Sequence, residues 1–214
     1  MCKNVARFFL FFCAFCFLCS APARALNLEE PPSQMGVFGA LCLLASIPAM
    51  NFNITQPHSM EFFYGYGDGD YLDGAGEYIH HTLAVDFSYL YNQKNRFWKY
   101  FQFQLEPFVS YVSSPEDNGE IGCVFFIKYT VPWDLPVKPY VRGGSGVILV
   151  TQESEDMSTM FNFASQIGCG VSCELPNLNF FLEYRGRHIS NADIKQPNSG
   201  IDDFIWLLGL GGKF

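Results

Sequence analysis

The chain has 214 residues, of which 49% are hydrophobic, 17% aromatic and 16% charged, and 13 basic against 21 acidic residues give a net charge of -8. A soluble domain carries about 25% charged residues, so this balance, together with 23 Phe and 11 Tyr, describes a chain that meets an apolar phase besides its own core. The acidic balance, without any cluster of Lys and Arg, argues against a nucleic-acid partner, whose phosphates need concentrated positive charge.

Lys3 and Arg7 precede an apolar run over residues 8–19, and Ala23-Arg24-Ala25 supplies a small-x-small cleavage site. Residues 1–25 are therefore expected to be a signal peptide. Cleavage there removes four of the eight cysteines, Cys2, Cys13, Cys16 and Cys19. The other four, Cys42, Cys123, Cys169 and Cys173, read as small apolar fillers rather than zinc ligands, since no second Cys/His pair stands at ligand spacing. Residues 26–57 form an N-terminal segment whose role the sequence leaves open. Its apolar stretch at 36–50 contains Pro48 and is too short to cross a membrane as a helix.

No segment offers the roughly 18 to 20 continuous apolar residues of a spanning helix. In lipid that leaves the closed β-barrel, because any other backbone exposes unpaired N–H and C=O groups to hydrocarbon. Residues 58–214 fit this fold class: an all-β, eight-stranded antiparallel transmembrane barrel of the outer membrane. Strands are expected near 60–68, 80–91, 99–111, 120–131, 138–150, 158–172, 178–190 and 202–214. In the third, Phe101, Phe103, Leu105, Val109 and Tyr111 alternate with Gln102, Gln104, Glu106 and Ser110, the period of a sheet with one apolar face. The second, fourth and sixth alternate likewise, and the chain ends on an amphipathic segment containing Phe204, Trp206, Leu208, Leu210 and Phe214. Strands sparse in charge, aromatic at their ends and even in number are the mark of an outer-membrane barrel. With both termini periplasmic, the long connections at 68–78, 113–119, 152–157 and 191–200 face outside, and those at 92–96, 132–136 and 175–177 are the short turns. Asp68, Asp70, Asp73, Glu116 and Asp117 then read as solvated loop residues. The run Gly143-Gly144-Ser145-Gly146 has no helix after it, so no nucleotide site is expected.

The chemistry gathers at the seventh connection. On strand 7, Phe180, Leu182, Tyr184, His188 and Ser190 share one parity and Glu183, Arg185 and Arg187 the other, while Asp202 shares the parity of Phe204 and Trp206. His188, Ser190 and Asp202 are thus expected on the lipid-facing surface, where polar residues are costly without a function. A nucleophile, a base to take its proton and an acid to orient the base are the components of acyl transfer, and a site opening sideways into a leaflet suits a lipid substrate. Arg185 and Arg187 are expected to point inward and join Glu183 in a charge network.

The segment His188-Ile189-Ser190-Asn191-Ala192, followed by Lys195-Gln196-Pro197-Asn198 and Gly200-Ile201 before an acid, resembles the signature of the PagL-type lipid A 3-O-deacylases, eight-stranded outer-membrane barrels. The resemblance implies Ser190 as nucleophile, His188 as general base and Asp202 as the orienting acid. For the oxyanion of such a reaction Asn191 offers two donors, its side chain and its backbone N–H, and Lys195 is expected either to reach lipid phosphates or to stand as a solvated loop residue. The implied reaction is hydrolysis of the ester that holds a 3-hydroxyacyl chain at position 3 of lipid A, without metal or cofactor. The partner is lipopolysaccharide in the outer membrane, with a homodimer left open, and the site faces the outer leaflet at the extracellular rim. Two departures stand out: Asp202 where the family usually has Glu, so that the strands must come close or Asp203 take its place, and Asp193 where relatives often have Gly. A phospholipase or acyltransferase of the outer membrane would share the exposed Ser and His. A structural barrel or adhesin has no need of them.

Overall fold

A strand whose side chains alternate between lipid and lumen cannot stop at an edge, because an unpaired row of N–H and C=O groups is as costly in hydrocarbon as a buried charge is in a core. The computed structural model meets this by closure. It describes residues 57–71, 77–90, 98–132, 134–153, 158–176 and 178–213. They form β1 (Ser59–Tyr71), β2 (Glu77–Leu90), β3 (Phe101–Ser114), β4 (Asn118–Thr130), β5 (Val137–Val150), β6 (Phe161–Glu174), β7 (Asn179–Ser190) and β8 (Ile201–Lys213), with one 3-10 turn at Trp98–Tyr100 before β3. Each strand pairs antiparallel with the next, and β8 returns to β1 to close the barrel. The expected signal peptide, the segment 26–57 apart from Pro57, Cys42, Asp73 and Phe214 lie outside the described residues.

Strands of 12 to 14 residues at about 3.4 Å each and a tilt near 45° rise roughly 30 Å, more than the ~25 Å apolar band of such barrels. Strand ends therefore stand clear of the hydrocarbon. Several boundaries shift by two or three residues from the sequence reading, and one of them bears on the site. The stretch Asp68-Gly69-Asp70 looks like a loop, yet the ladder continues through it, with Asp68 opposite Ile79 and Asp70 opposite Glu77. Its glycines explain this: a Cβ on Gly67 would lie 1.9 Å from His80 Nε2, and one on Gly69 would lie 2.4 Å from Asp203 Cβ. These strand positions face interior side chains so closely that only glycine fits, and Asp68 and Asp70 belong to the outer wall of β1.

The two faces differ in kind. Leu83, Ile167, Phe204, Trp206 and Leu208 point outward and are more than half exposed, apolar side chains in a number that soluble monomers rarely leave uncovered. Inward, buried charges are matched to one another. Arg142 bonds Asp86 at 2.6 Å, Glu106 at 2.8 Å and Glu183 at 2.8 Å, with its guanidinium 4.3 Å from the centre of the Phe126 ring. Arg185 bonds Glu106 at 2.6 Å and Glu183 at 2.7 Å, as its parity predicts. Arg187 also points inward, but it departs from the expected pairing with Glu183. It reaches Glu120 at 2.8 Å and Asp203 at 2.6 Å, because it sits two residues nearer the strand end, where those two carboxylates are the facing acids. Lys128 lies 3.4 Å from Glu61 at the opposite end of the lumen.

Removing one member of a buried charge cluster costs more than the cluster itself contributes, because its partners are left uncompensated. Arg142→Ala leaves Asp86 without its paired cation and takes one of two arginines from Glu106 and Glu183, and is expected to lower the unfolding free energy by about 3–5 kcal/mol, read as a shift of the urea midpoint of the protein refolded in lipid vesicles.

A candidate active site on the outer wall

Strand periodicity builds the site. Along β7, Glu183, Arg185, Arg187 and Ile189 are buried, and the alternating positions Tyr184, His188 and Ser190 look out. Along β8, Asp203 is buried and Asp202 exposed. His188 and Asp202 are direct partners in the β7–β8 register, and His188 Nδ1 stands 2.6 Å from Asp202 Oδ1. Direct opposition answers the question that the shorter acid raises: cross-strand partners sit so close that an aspartate reaches the imidazole without any rearrangement. Asp203 lies on the other face, bound to Arg187 and 3.5 Å from His80 Nε2, and cannot take this role.

An Nδ1–H donated to Asp202 leaves Nε2 as the basic nitrogen. Ser190 stands two residues further along β7 on the same face, half-buried and opposite Phe163 of β6. Among the described residues no hydrogen bond joins it to His188. Below the pair, Tyr184 stacks on Phe204 with the rings 5.6 Å apart and 2° from parallel, and Trp206 lies 4.7 Å from the Tyr184 ring. Amphipathic aromatic rings of this kind favour the membrane interface.

The connection after β7 is held by Asn191. This residue is fully buried; its Nδ2 donates to Lys195 O at 2.7 Å and its backbone N–H to Asn198 Oδ1 at 2.9 Å. Ser158 Oγ donates to the same Lys195 carbonyl at 3.0 Å. Both donors that the sequence offers for an oxyanion are thus engaged within the loop. The Lys195 ammonium is exposed and pairs with Glu153 at 3.3 Å. Ala192 and Asp193 adopt φ of 54° and 58°, a left-handed conformation that glycine favours and aspartate tolerates. Gly200, at φ 84°, is the glycine that turns the chain into β8.

Two neighbours of the site escaped the sequence reading. Asp70 of β1 is the register partner of Asp202, hidden by the loop-like composition around it. Ser165 of β6 is the register partner of His188; its parity with Phe161, Phe163 and Ile167 already marks it as outward.

The model of the family described as lipid A 3-O-deacylase (PagL) matches residues 79–210. Among solved structures, Neisserial surface protein A is similar at 14% identity and a TM-score of 0.56, over 73% of this chain and 96% of that one. The outer-membrane enzyme PagL is similar at 20% identity and a TM-score of 0.52, over 69% of this chain and 97% of that one. No curated protein matches.

Adjacent aspartates on opposite faces have different work. Asp203→Asn removes a fully buried partner of Arg187 and is expected to lower the urea midpoint, whereas Asp202→Asn, at a side chain 53% exposed, is expected to leave it in place. An equal loss of stability from both substitutions contradicts the register of β8.

Proposed function

The chain belongs to the PagL family of lipid A 3-O-deacylases, whose model spans residues 79–210, and from that membership we propose that it cleaves the ester holding the 3-hydroxyacyl chain at position 3 of lipid A through an acyl-enzyme on Ser190. The observation that carries this reading is the 2.6 Å bond between His188 and Asp202 on a wall that otherwise faces lipid, with Ser190 on the same face.

In the proposed sequence Ser190 Oγ attacks the ester carbonyl carbon while His188 Nε2 takes its proton. Asp202 holds the ring in the tautomer that leaves Nε2 free and stabilises the imidazolium that forms. The imidazolium returns the proton to the departing sugar oxygen, releasing lipid A with a free 3-hydroxyl. A water deprotonated by His188 then attacks the acyl-Ser190, yielding the 3-hydroxy fatty acid and the resting enzyme. Asn191 serves this scheme by fastening the loop; as an oxyanion donor it has first to release Lys195 O or Asn198 Oδ1. Lys195, exchanging Glu153 for a lipid phosphate, anchors the headgroup by a charge-assisted bond. The substrate lies in the outer leaflet, so the strand ends bearing the site form the extracellular rim.

Mass spectra of lipid A from cells expressing the protein test the reading. The expected change is loss of one ester-linked 3-hydroxyacyl chain, absent in Ser190→Ala although that variant still forms a heat-modifiable barrel. Retained deacylation in Ser190→Ala removes Ser190 from the mechanism, and altered phospholipid with intact lipid A overturns the substrate. Turnover by Asp202→Asn is expected to fall by about 10³- to 10⁴-fold, as in other triads left with the wrong tautomer, while Asp202→Glu retains activity.

A further inference from the structure

Two more hydroxyls face outward beside the His188–Asp202 pair. Ser165 of β6 lies opposite His188, and Ser145 of β5 lies opposite Ser165. The row Ser145, Ser165, His188, Asp202 therefore runs straight across four strands on the outer wall. The two serine oxygens are 3.4 Å apart, and among the described residues each is the other's sole hydrogen-bonding side chain. Their flanks are apolar: Val147 and Phe163 stand on one side and Ile167, 70% exposed, on the other. A hydroxyl facing lipid with so long a bond carries a desolvation cost that alanine in the same space avoids. Packing does not account for the pair, and polar groups on a lipid-facing surface are the positions where function concentrates.

We propose that Ser145 and Ser165 bind the 3-hydroxyl of the acyl chain that Ser190 removes, so that the wall selects a hydroxylated chain over a plain one. This rests on the deacylase reading above. Ser190 is opposite Phe163, which makes Ser165 its diagonal neighbour, at a separation of roughly 7–8 Å. When Ser190 attacks, the ester carbonyl carbon is at its Oγ, and the chain hydroxyl sits on the second carbon beyond, roughly 2.5 Å further. An ordinary O–H···O bond of about 2.8 Å then spans the rest of the diagonal to Ser165. A serine hydroxyl both donates and accepts, so the chain hydroxyl enters between two oxygens whose own separation of 3.4 Å is long for such a bond. The methylenes beyond it run on past Ser145, between Val147 and Ile167.

The experiment uses the full chain folded in detergent and two lipid A substrates that differ only at position 3, one with a 3-hydroxyacyl chain and one with a plain chain of equal length. The wild type is expected to favour the hydroxylated ester in kcat/KM. In Ser165→Ala that preference is expected to fall about three- to tenfold, the worth of one hydrogen bond, and Ser165→Thr, which keeps a hydroxyl, restores part of it. Ser145→Ala is the second variant and shifts the ratio in the same direction; heat-modifiable mobility verifies folding of each. Equal wild-type rates on the two esters overturn the proposal, and so does a Ser165→Ala variant that slows both in the same proportion. A wild type inactive on both esters overturns the deacylase reading and this inference with it, so the two failures are told apart.

Discussion

Every backbone N–H and C=O of a chain in lipid must find its partner within the chain, and the rest of this structure follows from that requirement. It forces a closed ladder of eight strands, and a closed ladder assigns each side chain to lipid or lumen by parity alone. On β7 the result is two chemistries interleaved residue by residue. Arg185 and Arg187 are locked in ion pairs inside, and His188 and Ser190 are presented outside. No loop has to carry these side chains into place; the pleat does.

The two faces also support each other through register. Arg187 opposite Asp203 and His188 opposite Asp202 are successive rungs of one β7–β8 ladder. The inner ion pair is fully buried, and a slip of one residue would bring Asp203 out and take Asp202 into the lumen. The charge that pins the lumen therefore also keeps the outer acid opposite its imidazole. Rigid strands with ends past the apolar band, and with aromatic rings of Tyr184, Phe204 and Trp206 beneath the pair, give the dyad a fixed height relative to the interface.

Alternation carried most of this into the sequence. The outward parity of His188, Ser190 and Asp202, and the inward parity of Arg185, Arg187 and Asp203, were readable from spacing, because a period of two leaves no freedom once the strand is recognised. Three things were not readable. The continuation of β1 through Asp68-Gly69-Asp70 was masked by residues that usually make turns; what decides it is the crowding of His80 and Asp203 against Gly67 and Gly69, a contact between distant strands. The partner of Arg187 depends on which carboxylates stand at its level of the lumen, and strand stagger sets that level. The engagement of Asn191 by Lys195 O and Asn198 Oδ1 belongs to loop geometry, for which no periodicity exists.

The position of the dyad in the topology has a consequence for biogenesis. His188 and Asp202 sit on the last two strands, and Asp202 in turn lies against Asp70 across the β1–β8 junction, the pairing that joins the beginning of the barrel to its end. His188 and Asp202 meet only once β8 has paired with β7. If strands pair in chain order, the proposed dyad forms one ladder before the β1–β8 pairing that closes the barrel, among the last contacts the chain makes.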